Sequence, residues 1–245
     1  MVNNFLLITP SYRRPYMLRS AILNANQQSN SSFVHSIAIN QDEVGEFDYT
    51  PIIDDVVDLQ KTYIQYHKNS YQHQNYKNAI EQVDYTKFDY IVKWDDDDIY
   101  KKDYLKELDA YLSENPDCDV YSCSLSLCIN NWHMDSKGTM QNLGGMPKFV
   151  GMPQSLCFSQ RAIKEILSWN DEKFQEIGKE FGGFEDTKYV GELNKQGFVF
   201  AKDLHSRQLI WHIHGGHLSG QGNVSTGAWS RLKWDKVSDT WEFHG

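Results

Sequence analysis

With 245 residues, 40% of them apolar and 13% aromatic, the chain can bury one large core, which argues against disorder and fits a single α/β domain. A net charge of −9 at pH 7 argues against a surface-wide grip on nucleic acid or anionic lipid, because phosphate binding draws on Lys and Arg. The four cysteines lack paired metal-ligand spacing, the first apolar run is too short for a secretory leader, and no run of about 18 apolar residues offers a transmembrane segment. A cytoplasmic protein with buried free thiols is expected.

Phe5-Leu6-Leu7-Ile8 reads as a fully buried strand, Thr9 to Pro15 as the loop after it, and the residues from Tyr16 as a helix. Ligands in open α/β sheets bind beyond the carboxyl ends of strands, so Pro10 to Arg14 lies at the edge of a candidate site. Arg13 and Arg14 are either phosphate ligands or solvated residues before a helix. Phe33 to Ile39 reads as a second strand ending in Asn40-Gln41-Asp42. Gln41 and Asp42 suit hydrogen bonds to a nucleobase or ribose, and turn chemistry explains them equally well. A strand is expected within Val56 to Tyr66, a loop over His67 to Ser70 and a helix over Asn75 to Val83.

Tyr90-Ile91-Val92-Lys93-Trp94 is an apolar strand that runs into Asp95-Asp96-Asp97-Asp98. Adjacent like charges repel one another and stabilise no fold, which points to a bound cation or cationic ligand. Hard oxygen donors of this kind suit Mg²⁺ or Mn²⁺, with substrate phosphates completing the shell. The structural alternative is an acidic turn in which Asp97 or Asp98 caps a helix over Lys101 to Leu112.

Asp119 to Ile129 alternates as one half-buried strand, Asn130 to Lys137 is turn material and Asn142 to Pro147 a connection. Strand Gln154 to Phe158 and helix Arg161 to Trp169 follow. In Phe181-Gly182-Gly183-Phe184-Glu185-Asp186-Thr187 the glycines allow close approach to a ligand, and the acidic pair opens a helical pattern whose dipole also favours it. After a short strand, Val199 to Ala201, alternation in Leu209 to His217 puts His212 and His214 on one face, where metal or phosphate chemistry is plausible. The tail from Leu218 mixes glycines with Trp229, Trp234 and Trp241. It reads as a closing loop or as a segment packed permanently on the core.

Leu6 to Pro15 resembles the opening motif of family 2 type nucleotide-sugar glycosyltransferases with the GT-A fold. Tyr76-Lys77-Asn78-Ala79-Ile80 is similar to that family's R-N helix, with Lys77 in place of arginine. Asp95-Asp96-Asp97 resembles its DXD motif, and Gly182-Gly183-Phe184-Glu185-Asp186 its glycine-rich E-D motif with Phe184 inserted. The resemblance covers roughly residues 4 to 215 and implies one Rossmann-like GT-A domain with a mostly parallel mixed sheet flanked by helices. Residues 1–129 would be the nucleotide-sugar and metal-binding half, 130–217 the acceptor and catalytic-base half, and 218–245 the tail.

Carried over residue by residue, the resemblance makes Asp97 the main ligand of Mn²⁺ or Mg²⁺, and gives Asp95, beside Asp96, the donor ribose or the ion. It makes His212 or His214 a further metal ligand. Pro10, Ser11, Tyr12 and Asp42 would surround the nucleotide, Arg13 or Arg14 would reach its phosphates, and Lys77 and Asn78 would support the pocket. Asp186, next to Glu185, would be the general base. The implied reaction is inverting transfer from a nucleotide-sugar donor, a UDP-sugar being favoured, to a hydroxyl acceptor. Glycan, lipid-linked sugar, protein and modified nucleobase all remain open as acceptors, as does the oligomeric state. The alternatives are a nucleotidyltransferase acting on sugar phosphates and a non-catalytic carbohydrate-binding module, which would not require Asp95 to Asp98 and Asp186 together.

Overall fold

The computed structural model of the chain describes residues 2–12, 14–30, 32–41, 48–68, 72–122, 125–130, 139–142, 155–181, 185–201, 210–214, 232–235 and 240–243. Strand β1 (Phe5–Tyr12) is followed by helix α1 (Pro15–Asn26), β2 (Phe33–Gln41), the one-turn α2 (Thr50–Ile53), β3 (Thr62–Lys68) and α3 (Gln72–Glu81). Next come β4 (Tyr90–Lys93), β5 (Asp98–Tyr100), α4 (Tyr104–Glu114), β6 (Val120–Tyr121), β7 (Leu125–Asn130), β8 (Thr139–Asn142) and β9 (Cys157–Ser159). The chain continues through α5 (Gln160–Ser168), α6 (Asp171–Phe181), α7 (Glu185–Lys195), β10 (Ile210–His214), β11 (Leu232–Asp235) and β12 (Thr240–Phe243).

The main sheet has the order β3-β2-β1-β4-β9-β6. Strands β3, β2, β1 and β4 are parallel, while β9 runs antiparallel to both of its neighbours. This is the expected mostly parallel mixed sheet. Phe5 and Leu7 of β1 point into one core, with Ala21 and Ala25 of α1 and Leu105, Leu108 and Leu112 of α4. Leu6 and Ile8 point into the other, with Tyr76, Ala79 and Ile80 of α3, Ile163 and Ile166 of α5 and Tyr189, Val190 and Leu193 of α7. Helices cover both faces, so β1 is apolar without alternation.

Several boundaries differ from the sequence expectation. Strand β1 continues to Tyr12, because Thr9 to Tyr12 pair with Ile37 to Asn40 of β2. Its ladder with β4 stops at Ile8, so Pro10 falls where one side of β1 carries no strand and its missing N–H is tolerated. Strand β3 starts within the expected window and runs past it to take in His67 and Lys68, which were expected in a loop. The stretch Asp119 to Ile129 divides between two sheets: β6 joins the main one, and β7 a second of order β5-β10-β7-β8. Around Val199 to Ala201 there is a single parallel bridge between Val120 and Phe200. Helix α4 starts at Tyr104 after Asp103, so Asp97 and Asp98 do not cap it, and Asp98 instead opens β5. Helix α6 was missed in the sequence, although Asp171 and Glu172 in its first turn and the buried Phe174 and Ile177 mark it. Of the turn expected over Asn130 to Lys137 and the connection over Asn142 to Pro147, Asn130 and Asn142 end β7 and β8 and the rest lies outside the described residues. Among the described residues, no helix is long and apolar enough to cross a membrane.

One buried group makes stability depend on pH. His35 of β2 lies against Thr9, Nε2 to Oγ1 2.8 Å, and the Thr9 hydroxyl donates to the Trp94 carbonyl at 2.5 Å. Nε2 is therefore the protonated nitrogen, and Nδ1 is buried with no hydrogen-bond partner. Burial pushes the imidazole down to about 3, because a second proton would place charge in the core. The native pKa lies below that of the unfolded chain, so the unfolded state binds the extra proton. Stability is unaffected above about pH 6.5 and falls by up to ~1.4 kcal/mol per unit as the pH drops from there towards 3. In urea melts between pH 7 and 4.5, His35→Gln should show a shallower pH slope than the parent by close to one proton.

Candidate active site

Strands β1, β2 and β3 are laid down in one direction, and the chain then returns to place β4 on the other side of β1. Between the carboxyl ends of β1 and β4 the connections diverge, the switch point at which open α/β sheets bind their ligands. Arg14 follows β1 there and Asp95 to Asp97 follow β4. The backbone between β4 and the acidic turn is pinned from three sides. The Trp94 N–H donates to the Ile8 carbonyl at 3.0 Å, the Asp95 N–H to the Tyr100 hydroxyl at 3.0 Å, and that hydroxyl donates to the Lys93 carbonyl at 3.3 Å. Trp94 stacks on Tyr100 with ring centroids 3.7 Å apart, so the turn leaves from a fully packed base.

Carboxylate oxygens of Asp95, Asp97 and Asp98 lie within 4.8 Å of one another. Such a convergence of hard donors fits a divalent ion such as Mg²⁺ or Mn²⁺. Across the β5–β10 ladder, His212 is the register partner of Asp98. His214 pairs with Asn130 of β7, past the end of β5. The antiparallel register runs on from His212 toward the residues before Asp98, so both histidines lie on the acidic side of this ladder.

Two cations are built into the cluster. Arg14 places Nη2 2.8 Å from Asp96 Oδ1 and Nη1 2.7 Å from Asp97 Oδ2. Burial works against its charge, but Asp96, Asp97 and Asp95 outweigh that and hold its pKa above the ordinary value. Lys93, only 4% exposed, sets Nζ 3.0 Å from Asp95 Oδ2 and 2.9 and 3.0 Å from the two oxygens of Asp186. Burial opposes this charge too, and Asp186, Asp95 and Glu185 raise its pKa well above the usual lysine range. The Tyr76 hydroxyl donates to Asp95 Oδ1 at 2.9 Å. Asp186 is pushed upward by burial and by Glu185 and Asp95, with Lys93 opposing. For Asp96, burial raises the pKa, Arg14 opposes it, and Asp97 adds to the rise.

The structure therefore brings Asp186, the second residue of α7, to the acidic run after β4. Glu185, the first residue of α7, is half-buried beside it. Ser11 and Tyr12 end β1, and Ser11 favours the charged form of the neighbouring Asp96. Asn78 accepts a hydrogen bond from Gln74 at 3.1 Å within α3. Lys77 is not brought to the acidic run: its Nζ donates to the Leu167 and Trp169 carbonyls at 3.0 and 3.1 Å, at the end of α5. Arg13 and Asp42 lie outside the described residues. Lys93 was missed in the sequence; its signal is a charged residue inside an otherwise apolar buried strand next to the carboxylates.

No protein-family profile and no curated protein sequence matches the chain. The fold is similar to crystal structures of S. aureus TarS 1–349, with a TM-score of 0.55, 14% identity and 86% of this chain covered. The structures of TarS 1–349 with UDP and with UDP-GlcNAc give TM-scores of 0.55 and 0.58 at the same identity. The chain spans about 60% of the length of those structures. At this identity the likeness concerns the architecture, and it matches the expected GT-A-type sheet.

Proposed function

We propose that the chain is a metal-dependent glycosyltransferase that takes a sugar from a UDP-sugar and passes it, with inversion, to a hydroxyl acceptor. The observation that carries this reading is that Lys93 touches both Asp95 and Asp186. Through it the candidate metal ligands and the candidate base meet at the strand switch point. The fold similarity to a protein crystallised with UDP and UDP-GlcNAc supports the same donor class.

Asp95, Asp97 and Asp98 would hold Mn²⁺ or Mg²⁺, with His212 or His214 as a further ligand. The ion supplies Lewis-acid offset of the charge on the departing diphosphate. Arg14, two residues after β1, would meet the phosphates. Asp186 would accept the acceptor hydroxyl proton, a contribution of about 10²–10⁴-fold. Attack from the Asp186 side, opposite the diphosphate, forms the new glycosidic bond as the bond to the diphosphate breaks, in line and with inversion at the anomeric carbon.

The test is incubation with a panel of nucleotide sugars and Mn²⁺, with release of free nucleotide as the readout. UDP from one or more UDP-sugars, abolished by EDTA, is expected. Silence across the whole panel, or release indifferent to EDTA, overturns the reading. Once an acceptor is found, NMR should give a β-linked product from an α-linked donor.

A further inference from the structure

Asp95 follows β4, whereas Asp186 sits 91 positions later at the start of α7, on the far side of β9 and α5 in the chain. Two carboxylates drawn from such distant parts of the chain repel one another at close range. Something must hold them together. The neighbours of Asp186 supply one group that does so: the Lys93 ammonium, within 3.0 Å of Asp95 Oδ2 and of both Asp186 oxygens.

The side chain that carries this ammonium has little freedom. Lys93 is the last residue of β4, its N–H donates to the Leu156 carbonyl at 2.8 Å, and its carbonyl accepts from the Tyr100 hydroxyl. Its Nζ lies 5.6 Å from the centre of the Tyr76 ring, whose hydroxyl binds the same Asp95. The base of the clamp is thus a central strand, the most rigid support the fold offers. Ammonium donors are short-range and have no planar fork, so the two carboxylates are gathered around one point.

We propose that Lys93 is a positioning residue, an ammonium clamp that fixes the Asp186 carboxylate against Asp95 and so sets the base at a constant place relative to the donor side. This rests on the reading of Asp186 as the base in the proposed transfer. Lys93 need not touch substrate. Its effect passes through Asp186, so it belongs to the chemical step more than to donor binding.

Lys93→Met keeps the length and removes the charge; Lys93→Arg keeps the charge and is the conservative control. Each is first checked for a cooperative thermal melt. Calorimetry with UDP and Mn²⁺ and steady-state hydrolysis of the best nucleotide sugar then follow, with a crystal structure of each variant. For Lys93→Met, kcat at saturating donor and Mn²⁺ should fall at least about tenfold and by more than UDP–Mn²⁺ affinity does, the split expected when an oriented group is lost. In its crystal structure the Asp186 carboxylate should have moved away from Asp95. Lys93→Arg should recover part of kcat and keep Asp186 in place. An unchanged kcat overturns the clamp, as does a loss of UDP–Mn²⁺ affinity matching the loss of kcat, which would make Lys93 a phosphate ligand. If Lys93→Met does not fold, Lys93→Arg decides: reduced kcat that tracks a shifted Asp186 supports the clamp, and parental kcat with Asp186 displaced, or lost turnover with Asp186 in place, overturns it. If the parent itself hydrolyses no nucleotide sugar, the transferase reading fails, and the crystal position of Asp186 alone still decides whether Lys93 holds it.

Discussion

Asp186→Asn should leave Mn²⁺-dependent UDP binding within about threefold of the parent and lower donor turnover by about 10²–10⁴-fold, the range a positioned general base contributes. The substitution preserves shape. An amide oxygen can still accept from Lys93, and Lys93 remains paired with Asp95 at 3.0 Å, so the site should keep its geometry. What disappears is the ability to take a proton. The stability cost should be small, because burial already works against the charge on Asp186. Calorimetry with UDP and Mn²⁺, beside nucleotide release from the preferred donor, separates the two effects. Turnover near the parental rate would remove Asp186 from the mechanism, and weakened UDP binding of the same size would move it to the donor site.

Asp97→Ala should act in the opposite way. One of three converging carboxylates is lost, and Arg14, which Asp97 and Asp96 now hold between them, is left to Asp96 alone. UDP affinity in the presence of Mn²⁺ should fall at least about tenfold, a loss seen even when an outer hydrogen-bond partner of a metal ligand is removed. In EDTA, parent and variant should bind UDP alike, because the metal contribution is then absent from both. Equal UDP affinity for the two proteins with Mn²⁺ present would show that Asp97 is not a ligand. Taken together, the two substitutions split the site into a binding side and a chemical side.

Much of this arrangement can be read from the chain without coordinates. Continuous apolar runs in Phe5 to Ile8 and Tyr90 to Val92 require strands covered on both faces, and such strands carry their ligand sites at their carboxyl ends. The acidic run and the Glu185-Asp186 pair stand out for a related reason: charge of one sign concentrated on neighbouring residues is unfavourable unless something offsets it. Local chemistry of this kind leaves a mark in local sequence. Element boundaries were less legible. Strand β1 passes through Pro10 because β2 supplies a ladder to Tyr12, and no property of Thr9 to Tyr12 announces that partner. Asp119 to Ile129 alternates throughout, and alternation is blind to which sheet each half joins.

Composition and periodicity alone determined the α/β class and singled out the carboxylates that follow β4 and open α7. Only the folded chain decided that Asp186 meets Asp95 through Lys93, that Arg14 sits on Asp96 and Asp97, that His212 stands opposite Asp98 in register, and that Lys77 serves the end of α5. The physical reason is range. Strand and helix patterns arise between residues a few positions apart, whereas an ion pair between residues 93 and 186 depends on strand order, crossover and packing, which no short window of sequence contains.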